Sequence, residues 1–194
     1  LGGLCILRGC MPTKAILRSA EIAVVMRRAP EFGLSPVEVC ASLPAIVDRK
    51  NRLVREFAEY RIQQLRDPAF ALYEAPATFL SPYRLQVGST CLAAKSFIIA
   101  TGSVPREVAI PGLTEAGCVT SDSLLDRREQ PESLIVLGAG PVGLEFAQFF
   151  ARIGTQVTLV QRAPHVLSHL DADVGVTLGQ ALAAEGLRVM TDTQ

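Results

Sequence analysis

The chain has 194 residues, with 19 basic and 19 acidic side chains and a formal net charge of zero. That balance excludes a polybasic nucleic-acid binder, which needs a cationic excess to neutralise phosphates. A hydrophobic share of 49% against a charged share of 20% excludes a disordered chain, and no apolar run reaches the ~20 residues a membrane-spanning helix requires.

The first chemical feature stands at the very start, where Leu4-Cys5-Ile6-Leu7-Arg8-Gly9-Cys10-Met11-Pro12-Thr13-Lys14 sets two cysteines five positions apart. Pro12 opens a helical stretch running to Arg28, with Ile16, Ile22, Val25 and Met26 on roughly one face. Cys10 then lies at the positive end of a helix dipole, where thiolates are stabilised, and Lys14 adds a cation one turn on. A four-residue spacer lets the two sulfurs meet and exchange. Two buried structural cysteines are the competing reading of so short a pattern. Zinc is disfavoured, because His165 and His169 lack a second cysteine pair at ligand spacing. A second, longer helix is expected from about Pro44 to Arg66.

From Ala69 the texture changes to short strands at Phe70–Tyr73, Ala77–Leu80, Tyr83–Val87 and Lys95–Ala100, punctuated by Pro76, Pro82 and Gly88-Ser89. The last of these reads as a buried strand ending in the small residues Ala100-Thr101-Gly102, where a backbone can approach a cofactor closely. A turn-rich stretch, Val104 to Gly117, follows. Leu134–Leu137, Pro141–Arg152, Gln156–Val160, Asp171–Glu185 and Arg188–Met190 then alternate strand and helix, which implies an α/β unit with a parallel sheet.

Inside that unit the strand Leu134–Leu137 feeds Gly138-Ala139-Gly140-Pro141-Val142-Gly143, which opens a helix. Strand, G-x-G-x-x-G, helix and second strand within ~30 residues form the dinucleotide-binding pattern. Gly138 serves the tight turn, Gly140 the approach of the pyrophosphate, and Gly143 the close packing of helix on strand; Pro141 and Val142 begin the helix whose N–H groups receive the anion. At the end of the second strand an acid would select NAD and an arginine NADP. Gln161-Arg162 stands there, which leans the reading toward NADP.

The cysteine segment resembles the redox-disulfide segment of the class I pyridine nucleotide–disulfide oxidoreductases, whose usual pattern is G-G-T-C-x-x-x-G-C-x-P-S-K. Gly2, Gly3, Cys5, Gly9, Cys10, Pro12 and Lys14 match; Leu4 and Thr13 replace the Thr and Ser, and Leu7-Arg8 stands where Asn and Val are frequent. Ala100-Thr101-Gly102-Ser103-Val104-Pro105 resembles the A-T-G-S-x-P stretch that closes the family's FAD domain. The three motifs follow the family's order.

The resemblance implies an internal fragment in two parts: residues 1–107 as a partial FAD-binding domain with the redox helix, and residues 108–194 as a partial Rossmann-type NAD(P)-binding domain. It implies that Cys5 exchanges with substrate and that Cys10 lies against the flavin as the charge-transfer thiolate. It also implies that Lys14 pairs with Glu145 beside flavin and nicotinamide. Gly2, Gly3, Lys14, Ala100, Thr101 and Gly102 are then expected at the FAD. Gly138, Gly140, Pro141, Val142, Gly143, Glu145, Gln161 and Arg162 are expected at the NAD(P). Gly143 weighs against NADP, since NADP-preferring members often carry Ala there. The implied substrate is a small disulfide, dithiol or metal ion, and the implied assembly a homodimer made by a domain beyond this chain. The absence of a signal-peptide pattern points to the reducing cytoplasm.

The chain opens on Leu1 without a methionine and stops at Gln194 just after a strand pattern, which also reads as a fragment. Cys40, Cys91 and Cys118 have no partner spacing and are expected as small apolar fillers. Two other functions fit parts of the pattern: a flavoprotein transhydrogenase without thiol chemistry, and a non-catalytic nucleotide-binding module.

Overall fold

The structure is a computed structural model that describes residues 1–106 and 108–193. The division expected between residues 107 and 108 touches Glu107, and the expected chain end touches Gln194; both lie outside the described residues.

A short helix α1, Gly3–Leu7, leads into α2, Cys10–Arg27, and a 3-10 turn at Ala29–Phe32 closes the pair. Helix α3, Leu43–Leu65, begins where Ser42 Oγ accepts the Ala45 N–H and Pro44 occupies the first turn. Its buried positions Leu43, Val47, Lys50 and Ala58 share one face. On α2 the apolar stripe read from sequence is buried only at Ile16. Ile22, Val25 and Met26 are exposed, while Thr13, Ile16, Ala20 and Ala23 are covered. The small side chains of Ala20 and Ala23 give α2 a face on which a neighbouring helix can pack, which larger residues would hold away.

Strands β1 (Ala77–Ser81), β2 (Arg84–Val87) and β3 (Thr90–Ala93) form an antiparallel meander. The sequence pattern missed β3, and two expected strands are absent among the described residues. Phe70–Tyr73 is irregular, and so is Lys95–Ala100, where Ile98 is 95% and Ile99 73% exposed. A strand needs a ladder partner. Phe97 leans edge-on against Phe79, ring centroids 5.1 Å apart, but no strand pairs with the segment.

After a short helix α4, Ser121–Leu124, the chain forms β4 (Ser133–Leu137), α5 (Pro141–Arg152), β5 (Gln156–Val160), α6 (Ala172–Ala184) and β6 (Arg188–Met190). The sheet is parallel in the order β4-β5-β6, with Leu137 opposite Val160 and Val160 opposite Met190. The fold is therefore α/β in this half, and mixed helix and antiparallel sheet in the other. One buried cluster runs through both: Ile16, Ala20, Leu43 and Val47 pack with Leu144, Phe146, Phe149 and Phe150 of α5 and Leu159 of β5. Burial of each such phenylalanine or leucine contributes about 1.5–3 kcal/mol.

Charged side chains reinforce this contact. Lys50, 3% exposed, donates to Asp126 Oδ1 at 2.7 Å, Arg8 reaches Asp122 at 3.2 Å, and Arg128 pairs with Asp48. The segment 120–128 is thus tied to the end of α1 once and to α3 twice. None of the described helices is long and apolar enough to cross a membrane.

Candidate functional site

Helix α1 ends where Arg8 N–H donates to Leu4 O, and Gly9 carries the chain into α2, whose first residue is Cys10. This tight reversal brings Cys5 beside Cys10. Both are exposed free thiols. The hydrogen bond with the Cys10 side chain raises the Cys5 thiol above its ordinary value, with desolvation adding to the shift and Lys14 opposing it. Cys40, Cys91 and Cys118 are exposed as well, so they are not the apolar fillers the sequence suggested; they stand in a loop, on a meander strand and in a turn.

Lys14, one turn after Cys10, donates from Nζ to Glu145 Oε1 on the second turn of α5. The partners are 131 positions apart in sequence. They meet because α2 lies along α5, with Ile16 and Ala20 covered against the same cluster as Leu144 and Ala147. The Lys14 side chain is 61% exposed and that of Glu145 27%, so the pair is open enough that its worth lies in placement more than in stability. Gly102, at φ +79, turns the Ala100–Thr101 segment so that it passes the cysteine segment, its missing side chain facing Leu4. Gly2 caps α1 and Gly3 is its first residue. Three sequence features thus stand around the start of α2.

The glycine turn sits at the other end of the ion pair. Gly138 takes φ +98, a conformation that a side chain resists, and its N–H donates to Val160 O at 2.8 Å. Gly140 caps α5, with Pro141 and Val142 exposed behind it, and open space lies above Gly138 and Gly140. At Gly143 the reverse holds, since a Cβ there would lie 2.1 Å from Gly138 O. Helix and strand touch at this point. An open cradle, a helix N-terminus and a contact that excludes any side chain are what a bound pyrophosphate requires, and these residues fit one.

At the end of β5, Gln161 is already occupied. Its Oε1 faces Ala139 N at a long 3.5 Å, and its Nε2 faces Ser168 Oγ at 3.3 Å. Arg162 is exposed and has no ion-pair or hydrogen-bond partner among the described residues. His165 is tied down by Nδ1 to Val166 O at 2.9 Å beneath Gly175. No group of three or more His, Cys, Asp or Glu is placed to hold a metal ion among the described residues.

Sequence reasoning missed the pairing of Arg8 with Asp122 and of Lys50 with Asp126. The only local signal was the Thr120–Ser123 capping box that starts α4.

Known proteins resemble this chain over nearly its whole length. A mercuric reductase of Staphylococcus aureus is 33% identical over 192 residues, covering 98% of this chain and 35% of that protein. A dihydrolipoyl dehydrogenase of Acholeplasma laidlawii is 31% identical over 199 residues, covering 100% of this chain and 59% of that protein. Among solved structures, the Cu(II) complex of the HOCl-induced flavoprotein disulfide reductase RclA from Escherichia coli matches with a TM-score of 0.80 at 27% identity. That match covers 100% of this chain and 41% of RclA. The chain spans between 35% and 59% of the length of these relatives. A family profile described as pyridine nucleotide-disulphide oxidoreductase matches residues 1–194, so the whole chain, and not its nucleotide turn alone, belongs to that family.

Proposed function

We propose that this chain carries the redox-thiol and pyridine-nucleotide parts of a flavin-dependent oxidoreductase acting on a small disulfide, dithiol or metal-ion substrate. The observation that carries this reading is the Lys14–Glu145 ion pair, which ties the thiol helix to the nucleotide helix across 131 positions. Family members use FAD and NAD(P)H. Residues 1–107 would contribute to the flavin site through Gly2, Gly3, Lys14, Ala100, Thr101 and Gly102. Residues 108–194 would hold the nicotinamide nucleotide through Gly138, Gly140, Pro141, Val142, Gly143, Glu145, Gln161 and Arg162.

Bound flavin supplies the two-electron relay between a reduced nicotinamide and the cysteine pair. The rest falls to side chains of this chain. A thiolate at Cys5 attacks one sulfur of a substrate disulfide, releasing the first substrate thiolate and leaving a mixed disulfide. Cys10 then attacks the Cys5 sulfur, the second substrate thiolate leaves with the electron pair, and Cys5–Cys10 becomes the disulfide. Two protons complete the substrate dithiol. The Cys5–Cys10 disulfide is reset by two electrons from the nicotinamide side. Lys14, kept in place by Glu145, sets a positive charge at the helix turn after Cys10, where negative charge gathers when the pair is reduced.

The relatives' names support the substrate classes: mercuric ion for one, dihydrolipoyl groups for another, and disulfide for the third. The unpaired Arg162 supports a preference for NADP, because a guanidinium at the end of β5 can receive a 2′-phosphate. A homodimer in the reducing cytoplasm is part of the same reading, with the family resemblance as its support.

The test is a Cys10→Ser variant of the full polypeptide, purified with its flavin. Dithiol-linked turnover should vanish, along with the long-wavelength thiolate-to-flavin band of the reduced enzyme. Unchanged turnover would overturn the thiol mechanism and favour a transhydrogenase.

A further inference from the structure

Two non-glycine residues among those described take a left-handed backbone, the exposed Asp192 and, in the loop after β5, Leu167 at φ +49. A branched side chain resists that region, and such positions persist only when their surroundings over-determine them. Two neighbours do so here. Val166 is sunk in the core, and the Leu167 side chain packs against the same cluster. The Leu170 N–H donates to Leu167 O at 2.8 Å, closing the turn behind it.

What the conformation achieves is visible at the other end of the residue. The Leu167 N–H donates to Ala139 O at 2.9 Å, inside the glycine turn. Ala139 itself is fully buried, and its own N–H faces Gln161 Oε1 at 3.5 Å. In a trans peptide the carbonyl and the following N–H point in opposite directions. Fixing Ala139 O toward Leu167 therefore turns the Gly140 N–H the other way, toward the open cradle. No described residue accepts a hydrogen bond from Gly140 N–H, so the group is free for a ligand.

We infer that Leu167 is a positioning residue for the cofactor: its left-handed N–H locks the 139–140 peptide so that Gly140 N–H is presented to the pyrophosphate. The inference rests on the reading of this turn as a pyridine-nucleotide site. It adds a residue 24 positions beyond Gly143, the last glycine of the turn. Gln161 assists by occupying the Ala139 N–H, which leaves Gly140 and the first turn of α5 as the donors.

Two variants of the full polypeptide separate the roles of the N–H and the side chain. Leu167→Pro removes the N–H; Leu167→Gly keeps it and accepts the left-handed backbone. Binding of NADH and NADPH should weaken about tenfold or more in Leu167→Pro and stay within about twofold in Leu167→Gly, with flavin content and thermal midpoint monitored as checks of folding. Equal affinity in Leu167→Pro and wild type overturns the inference. If Leu167→Pro does not fold, amide hydrogen exchange in the wild-type protein decides. Leu167 N–H should exchange slowly with and without NADPH, and Gly140 N–H should become protected only when NADPH is added. Fast exchange at Leu167, or an unprotected Gly140 in the NADPH complex, overturns it. A wild-type protein that binds neither NADH nor NADPH overturns the nucleotide reading itself, a result distinct from binding that is indifferent to Leu167.

Discussion

Replacing Gly143 with alanine is the sharpest probe of the nucleotide turn. The added methyl would stand 2.1 Å from Gly138 O and 3.3 Å from Gly138 C, both backbone atoms. Ordinary van der Waals contact begins at 3.4 Å, so helix α5 and the end of β4 must part by about 1.3 Å at this point. Neither side yields freely. Gly138 is held by its bond to Val160 O, and α5 is anchored by Phe146, Phe149 and Phe150 in the core. Overpacking of this kind costs about 1–3 kcal/mol, and at about 2–4 °C per kcal/mol for a chain of this size the thermal midpoint should fall by about 2–12 °C. Nucleotide affinity should drop with it, because the displaced turn carries the Gly140 N–H. Gly179→Ala is the control. It lies within α6, where a new Cβ meets only Val166 at an ordinary 3.9 Å, so the gain in helix propensity should raise stability by about 0.5–1 kcal/mol. Differential scanning fluorimetry and titration with NADPH read both. A Gly143→Ala protein that melts with the wild type and binds NADPH as tightly would refute the close-contact argument.

Three further outcomes follow from the ion pairs. Glu145→Gln should leave the thermal midpoint nearly unchanged, since its partner Lys14 is mostly exposed. It should also slow NAD(P)H-driven flavin reduction about tenfold, equivalent to about 1.4 kcal/mol, as measured by stopped flow; a fall in stability without a fall in rate would reverse the assignment. Asp126→Ala should destabilise more than Lys50→Met, because the first strands a buried ammonium while the second replaces it with an apolar side chain of similar length; urea unfolding in the opposite order would contradict this. Glu185 is held below the usual glutamate range, first by its hydrogen bonds with Arg152 at 2.7 Å and further by Gln148. Its contribution is therefore present above the unfolded-state value and lost as pH falls through the lower folded-state value. The stability gap between wild type and Glu185→Gln should be open at about pH 7 and narrow as pH falls below the usual glutamate range; a gap that does not change with pH would count against the pairing.

The sequence spoke clearly where local chemistry and long-range structure agree. The stretch from Leu134 to Met190 was legible because strand, glycine turn and helix each carry their own signal and pack on sequential neighbours. Helices α2 and α3 were legible as helices, but the buried face of α2 was not. It is lined by Ala20 and Ala23, whose small size matters only against a partner helix. Lys95–Ala100 reads as a strand from its β-branched residues, yet strand formation depends on a partner that no local pattern supplies. The cysteine pair, Lys14 and Glu145 could be singled out from the sequence. Their meeting could be expected only from resemblance, because it is made by helix packing between distant segments. Leu167 carried no signal at all, since leucine in a left-handed turn is a product of tertiary context.

The cluster shared by α2, α3 and α5 has a consequence for how the chain folds. Its contacts join residues near position 16 to residues near position 150, so they close one of the longest loops available and form late, after the more local β4–α5–β5 unit. During synthesis α2 and α3 are made before α5, and the faces they share with it stay open until α5 has followed. The Lys14–Glu145 pair is therefore made only by the late packing step that lays α2 along α5.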